Sequence, residues 1–395
     1  MKKIFCYVVF SKFDKKKLNN LIKFLKYLNK IKPKSSKVII LDLSKYYLGF
    51  NFNKKKQIEK KFNYFKVDNL LQLKKFCENK KIYCFGLINQ KIKELLIFII
   101  IKNFNFKLIQ IMGLGYFPQS YNLTKSSWAY RAYVAITYKS NYYFYRILSN
   151  INITPVINYY FESSQNRIDK ILKLQKKKKY SFLNKIPFFK NIIRINSQLF
   201  EKQKNIKKTK SYITYIDSGF DHPDITTKEI SSKNNERKIF YKNLYKSLSQ
   251  LEKIFSKKVV FCKHPKSSYP IYFDRFEKNF ITSTGHAEYY ILNSYFVVLS
   301  ATTLINYVIY HKKDFIISSS NYWGNLVKDK IESTKRELKF KIFDLDKNMK
   351  ISKKNFLEKI INNRKLVSAF TKKNIVSDTK LFHSEQMKNY LNKLD

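Results

Sequence analysis

Three short runs carry the side chains from which chemistry is most readily built: Asp217-Ser218-Gly219, Lys263-His264-Pro265 and Ser300-Ala301-Thr302-Thr303. Each follows an apolar, β-branched stretch, YITYI, KVVFC and YFVVL respectively. A histidine at a strand end can donate a hydrogen bond or a positive charge to a leaving phosphate, with Lys263 and Pro265 beside it. Asp217 can serve as a general base or bond a ligand hydroxyl, and Gly219 allows close backbone approach. Ser300 is placed to cap the helix ATTLINYVIYH, whose first N–H groups, with the hydroxyls of Thr302 and Thr303, would suit an anion. Each run also has a plainer explanation: an Asx-turn at Asp217, a structural histidine at His264, an ordinary cap at Ser300.

Other candidates are more isolated. His286 and Glu288 open a helix after Gly285, where they could meet a nucleotide base or ribose, or simply cap the helix. Gly113 and Gly115 leave a strand end in the first half of the chain, as a loop for an acceptor or as a tight turn. The pair His222-Pro223 is turn chemistry, and His311 and His383 read as surface residues. Cys6, Cys77, Cys84 and Cys262 include no CxxC pair and read as core thiols of a reducing compartment. No Asp-x-Asp pair stands out as a clamp for a metal-bridged diphosphate, so neither a metal nor a cofactor is expected.

The elements that must position these residues follow from apolar periodicity. In the first half, KIFCYVVF, KVIILDL, IYCFGLI and KLIQIM alternate with helical stretches through LNNLIKFLKYLNK, 70–78 and 92–101. Continuous β-branched strands separated by amphipathic helices indicate a parallel, doubly wound, Rossmann-like sheet. The stretch 130–193 reads as rich in helix, and the polar run EKQKNIKKTKS marks a domain boundary. The alternation then restarts with YITYID, KVVFCKHP, FITS, YFVVLS and DFIIS. A long helix between the first two places Phe240, Leu244, Leu248, Leu251 and Phe255 on one face. The expected division is an N-terminal domain over 1–200, a second domain over 211–345 and terminal helices over 346–395. Ligands of open parallel sheets bind beyond the carboxyl ends of the strands, which selects the same three runs, all on one edge of one sheet.

The formal charge is +51, from 79 Lys and Arg against 28 Asp and Glu. Lys, Asn, Ile, Phe and Tyr are abundant together, while Gly and Pro number 7 each, the pattern of AT-rich codon usage. The lysines are spread over both halves with no RNA-binding or zinc-finger signature, which argues against a nucleic-acid-binding protein and for no specific nucleic-acid partner. An anionic bilayer surface fits the charge better. The most lipid-like segment, 95–101, is far short of the roughly 20 residues a spanning helix requires. The basic N-terminus reads as a first strand rather than a signal peptide. The expected location is the cytoplasm, with peripheral contact at the inner face of the membrane.

The runs VVFCKHPKSSYP and FITSTGHAEYYILNSYFVVLSATTLINYVIYHKKDFIIS, within Tyr212 to Ser319, resemble the donor-binding domain of bacterial surface-polysaccharide glycosyltransferases, notably the sialyltransferase and polysialyltransferase group. CDP-glycerol glycerophosphotransferases share a similar pattern. The resemblance implies a GT-B-like fold, two Rossmann-like domains with parallel sheets facing across a cleft, the first for a glycan or lipid-linked glycan acceptor and the second for a nucleotide-activated sugar. It further implies a metal-independent transfer from a CMP-linked, sialic-acid-like donor onto a capsule or lipopolysaccharide acceptor. His264, Ser300, Thr302 and Thr303 match the positions that hold the donor phosphate. The family's acidic motif has two adjacent acids before glycine, whereas this chain has Asp217-Ser218-Gly219, and Asp42 after VIIL is a competitor for the base. The alternative the resemblance offers is a CDP-polyol phosphotransferase of surface polymer synthesis.

Overall fold

In the computed structural model of the chain the described residues are 2–9, 15–44, 62–85, 102–112, 157–176, 189–201, 209–218, 234–265, 267, 269, 273–300, 302–323, 325–347 and 351–394. They belong to two compact units. The first draws on Met1–Gly113, Ala135–Glu201 and Ser377–Asp395, the second on Leu114–Val134 and Lys202–Val376.

The first unit is a parallel sheet of strands β1 (Lys2–Val9), β2 (Lys37–Asp42), β3 (Asn63–Lys66), β4 (Lys80–Phe85), β5 (Lys107–Met112), β6 (Ile157–Glu162) and β7 (Phe189–Arg194), in the order β3-β2-β1-β4-β5-β6-β7. The order reverses direction at β1, as in a doubly wound sheet. The twofold alternation of side chains along β1 divides the apolar residues between two layers. Ile4, Cys6 and Val8 join a core with Leu73 and Phe76 of helix α2 (Leu70–Cys77) and Ile171 of α3 (Gln165–Lys176). Phe5 and Val9 join a second core with Leu18, Leu21, Leu25 and Leu28 of α1 (Lys15–Ile31). The described part of the stretch expected to be helix-rich instead holds β6 and β7 on either side of α3. The YYF triplet of β6 supplies buried Tyr160 and Phe161 to opposite faces of the sheet, and Ile192 and Ile193 of β7 pack, partly buried, against the same two cores. The expected helix over 92–101 lies outside the described residues.

The second unit is a parallel sheet of β8 (Tyr212–Ile216), β9 (Lys258–Lys263), β10 (Ile281–Thr284), β11 (Ser294–Leu299), β12 (Phe315–Ser319) and β13 (Ile342–Asp344), ordered β10-β9-β8-β11-β12-β13. One face is covered by α4 (Asn234–Phe255), whose expected stripe, Phe240, Leu244, Leu248, Leu251 and Phe255, is buried. Short helices α5 (Asp274–Asn279), α6 (Ala287–Leu292) and α7 (Ile305–Tyr310), then α8 (Asn325–Leu338), follow β9, β10, β11 and β12 in turn. The last two helices divide between the units. Helix α9 (Lys353–Asn374) gives Phe356 and Ile360 to the second unit's core, and α10 (His383–Lys393) gives Met387 and Leu391 to the first. Among the described residues no helix is long and apolar enough to cross a membrane.

Candidate functional site

Hydrogen-bond register builds the site at the carboxyl edge of the second sheet. Ile216 of β8 pairs with Cys262 of β9 on one side and Leu299 of β11 on the other. The next residue on each strand leaves the sheet, so Asp217 lies between Lys263-His264 and Ser300. On the far side of β9, Thr284 pairs with Lys263, which brings Gly285 and His286 beside His264. Three of these positions, Pro265, Gly285 and His286, are exposed, while Asp217 and Ser300 are buried. Gly285 has φ +87°, a left-handed conformation that disfavours a side chain, and the space where a Cβ would stand is open.

Asp217 is bound into the fold. Its N–H donates to the carbonyl of Cys262 at 3.1 Å. Its carboxylate accepts the hydroxyl of Tyr269 at 2.5 Å, and that hydroxyl in turn accepts the N–H of His264 at 2.7 Å. Burial first, and then the neighbouring Asp217 carboxylate, raise the Tyr269 pKa far above the ordinary phenol value, so the phenol keeps its proton to donate. Lys263 extends along the rings of Tyr269 and Phe273, 5.4 and 5.1 Å from their centroids, and its ammonium pairs with Glu277 of α5. Sequence reasoning missed Tyr269: it lies in the run VVFCKHPKSSYP, five residues after His264, but nothing in its type sets it apart among 30 tyrosines.

The helix after β11 differs from expectation. Ser300 is not its cap: α7 begins at Ile305, preceded by Leu304, and the chain first turns through a Thr302 N–H to Ser300 carbonyl bond of 2.8 Å. The hydroxyl of Thr302 accepts from the N–H of Leu304 at 3.3 Å, a local side-chain bond in the turn before the helix rather than a cap of it. The Ser300 hydroxyl is fully buried and has no hydrogen-bond partner among the described residues. Thr303 is exposed. His286 precedes α6 without a side-chain cap bond, and Glu288 in its first turn faces towards Tyr307 of α7, contributing after burial to a Tyr307 pKa pushed up to about 12. Gly113, Gly115, Gly219, Ala301 and the His222-Pro223 pair lie outside the described residues.

No protein-family model matches the chain, and no curated protein matches it. Solved structures do match. Apo UGT2 of Phytolacca americana shares 8% identity over 98% of each chain with a TM-score of 0.50. The S. aureus MnaA-UDP co-structure shares 12% identity over 100% of this chain and 98% of that one, with a TM-score of 0.44. The wall teichoic acid polymerase TagF shares 11% over 99% and 88%, at 0.42. The fold is GT-B-like. At these identities the likeness is one of fold, two Rossmann-like α/β domains, and roles for residues must be argued from their own geometry.

Elsewhere in this GT-B-like chain, the described acids at strand ends are engaged internally. Asp42, the competing base, is buried and accepts the N–H of Ser44 at 2.9 Å and the hydroxyl of Tyr64. Glu162 at the end of β6 is fully buried and accepts the N–H groups of Ser163 and Ser164, the hydroxyl of Tyr160 and, at 3.1 Å, the guanidinium of Arg167. It thereby fills with the chain's own carboxylate the anion place at the start of α3. The Asp344-Leu345-Asp346 spacing at the end of β13 is likewise consumed. Asp346 accepts Ser320 and Asn243 side chains and the Asn321 N–H, while Asp344 accepts the N–H of Asp346.

The histidines expected at the surface are not there. His311 is buried against Tyr307 and Tyr310, at 4.3 and 5.0 Å between ring centroids. His383 is fully buried at the start of α10, beside Asn196 and stacked on Tyr27. Both pack at helix ends, His311 just after α7 and His383 at the start of α10, where an aromatic ring with a polar edge can be buried against other rings.

Proposed function

We propose that this chain is a nucleotide-sugar-dependent glycosyltransferase whose donor phosphate sits at the carboxyl edge of the second sheet. The observation that carries this is the gathering of His264, after β9, and of Ser300 and the Thr302-Thr303 turn, after β11, on the carboxyl ends that flank β8, with open ground at Gly285 beside His264. His264 would donate a hydrogen bond or charge to the leaving phosphate, where charge develops as the bond breaks. Thr303, with the exposed His286, would complete the polar lining. The donor we favour is a CMP-linked, sialic-acid-like sugar and the acceptor a bacterial surface glycan, lipid-linked or free, met at the cytoplasmic face of the membrane.

The reaction is a displacement at the anomeric carbon. The acceptor hydroxyl oxygen forms the new bond, the bond to the phosphate oxygen breaks, the electron pair leaves with the nucleotide, and the hydroxyl proton passes to a base. Phosphate charge is met by His264 in this scheme, with no metal.

The test is to incubate the purified chain with CMP-sialic acid, CDP-glycerol and UDP-sugars and to follow nucleotide release, with and without glycan acceptors. Release of CMP from CMP-sialic acid is expected. Turnover of CDP-glycerol instead would make it a polyol phosphotransferase, and turnover of no donor would overturn the proposal.

A further inference from the structure

We propose that Tyr269 and Asp217 act as a positioning pair that locks the turn carrying His264, and that Asp217 is therefore a holder of this turn rather than the base that deprotonates the acceptor. This rests on the site proposed above, but its geometric part stands separately. Asp217 at the end of β8 and His264 at the end of β9 are joined through one phenol oxygen, which donates to the first at 2.5 Å and accepts from the main chain of the second at 2.7 Å. The phenol is itself held. Its ring lies 4.5 Å from Phe273 and 6.2 Å from Phe261, with the Lys263 ammonium 5.4 Å from its centroid. Phe273 and Phe261 belong to the core beneath the sheet. The hydroxyl is thus aimed from a rigid platform, which is how a binding side chain is held to within a fraction of an ångström.

The chemistry of the pair argues against a base. A general base must reach the proton it removes and have a free lone pair aimed at it. Asp217 is 3% exposed, and its Oδ2 accepts from a phenol that keeps its proton, so burial and this bond both set its carboxylate back from an acceptor hydroxyl. His264, by contrast, is half-buried, and the Pro265 after it is exposed, so the turn held by the pair is the part that reaches solvent. The turn is closed on its far side by the N–H of Ser267 donating to the His264 carbonyl at 3.1 Å.

The experiment uses the full chain and four forms: wild type, Tyr269→Phe, Asp217→Asn and Asp217→Ala. Hydrogen exchange of the His264 amide and calorimetric affinity for CMP are measured on each. Tyr269→Phe keeps the ring and removes the link, and exchange at His264 should rise roughly tenfold, the scale of one lost hydrogen bond, with CMP affinity falling in parallel. Asp217→Asn retains an oxygen that accepts the phenol, so both readouts should stay near wild type, and turnover should survive. Asp217→Ala should behave like Tyr269→Phe. Unchanged exchange in Tyr269→Phe would overturn the link. An Asp217→Asn form that protects His264 and binds CMP normally but has lost turnover would overturn the holder role and make Asp217 the base. If wild type binds no CMP, the proposed function fails while exchange still decides whether the pair holds the turn.

Discussion

The main-chain carbonyl of Asn196 accepts the Nδ1–H of His383 at 2.6 Å, which leaves Nε2 of the ring buried without a partner among the described residues. Burial lowers the His383 pKa, against smaller opposing effects of the Asn196 carbonyl and of Glu201. The unfolded chain therefore takes up this proton at a higher pH than the folded one. Stability from this site is fully present above the unfolded value of about 6.5 and is lost as the pH falls below it towards the lower folded value. Urea unfolding should show a loss between neutral and mildly acid pH that is smaller in His383→Gln. Equal pH dependence in the two proteins would remove His383 as its source.

Asn196 does more than meet this histidine. Its side chain accepts the N–H groups of Ser377 and Asp378 and donates to the carbonyls of Asp378 and Leu381, and its own N–H donates to Gln386. One residue after β7 thus organises the entry to α10. Asn196→Ala leaves several of these groups unsatisfied and should cost about 2 kcal/mol or more. Amide exchange should accelerate in α10 and not in α4; acceleration in both, or in neither, would contradict this role.

Glu162 sets a third expectation. With Arg167 and two N–H groups depending on a fully buried carboxylate, Glu162→Ala should destabilise the first unit by about 3 kcal/mol or more, and Glu162→Gln by less. Thermal unfolding of both variants checks the order. A Gln variant as unstable as the Ala variant would show that charge matters there more than the acceptor.

How far the chain could be read in advance depended on where each element lies. Strands β1, β2, β8, β9, β11 and β12 are interior to their sheets and announce themselves as apolar runs, whereas β6, interior too, was hidden because INYYFE carries polar residues at both ends, and the edge strand β10 was legible from FITS. The edge strands β3, β7 and β13 were not legible, because NYFK, FKNIIR and IFD mix polar and apolar residues as a half-exposed strand requires. The carboxyl edge bearing Asp217, His264 and Ser300 followed from strand direction alone. Its internal wiring did not, since Tyr269 lies outside strands and helices, where periodicity carries no signal. His383 did carry a signal, its helical spacing with Met387, Leu391 and Leu394, all buried on the same side of α10.

The charge of +51 bears on where the chain works. We expect it to bind vesicles of anionic lipid at low salt and to be released as ionic strength approaches about 1 M, where the screening length falls to about 3 Å. Sedimentation with vesicles at two salt concentrations measures this. Retention at high salt, or no binding at low salt, would rule out electrostatic attachment.

The proposal as a whole turns on a phosphate bound beside His264. Calorimetric titration of CMP and of cytidine into wild type, His264→Ala and Thr303→Val measures it most directly, because the two ligands differ only in the phosphate. The account predicts that wild type binds CMP well above cytidine and that each substitution weakens CMP while leaving cytidine nearly unchanged. Equal affinity for CMP and cytidine in wild type, or a preference for CMP that survives His264→Ala intact, would contradict it.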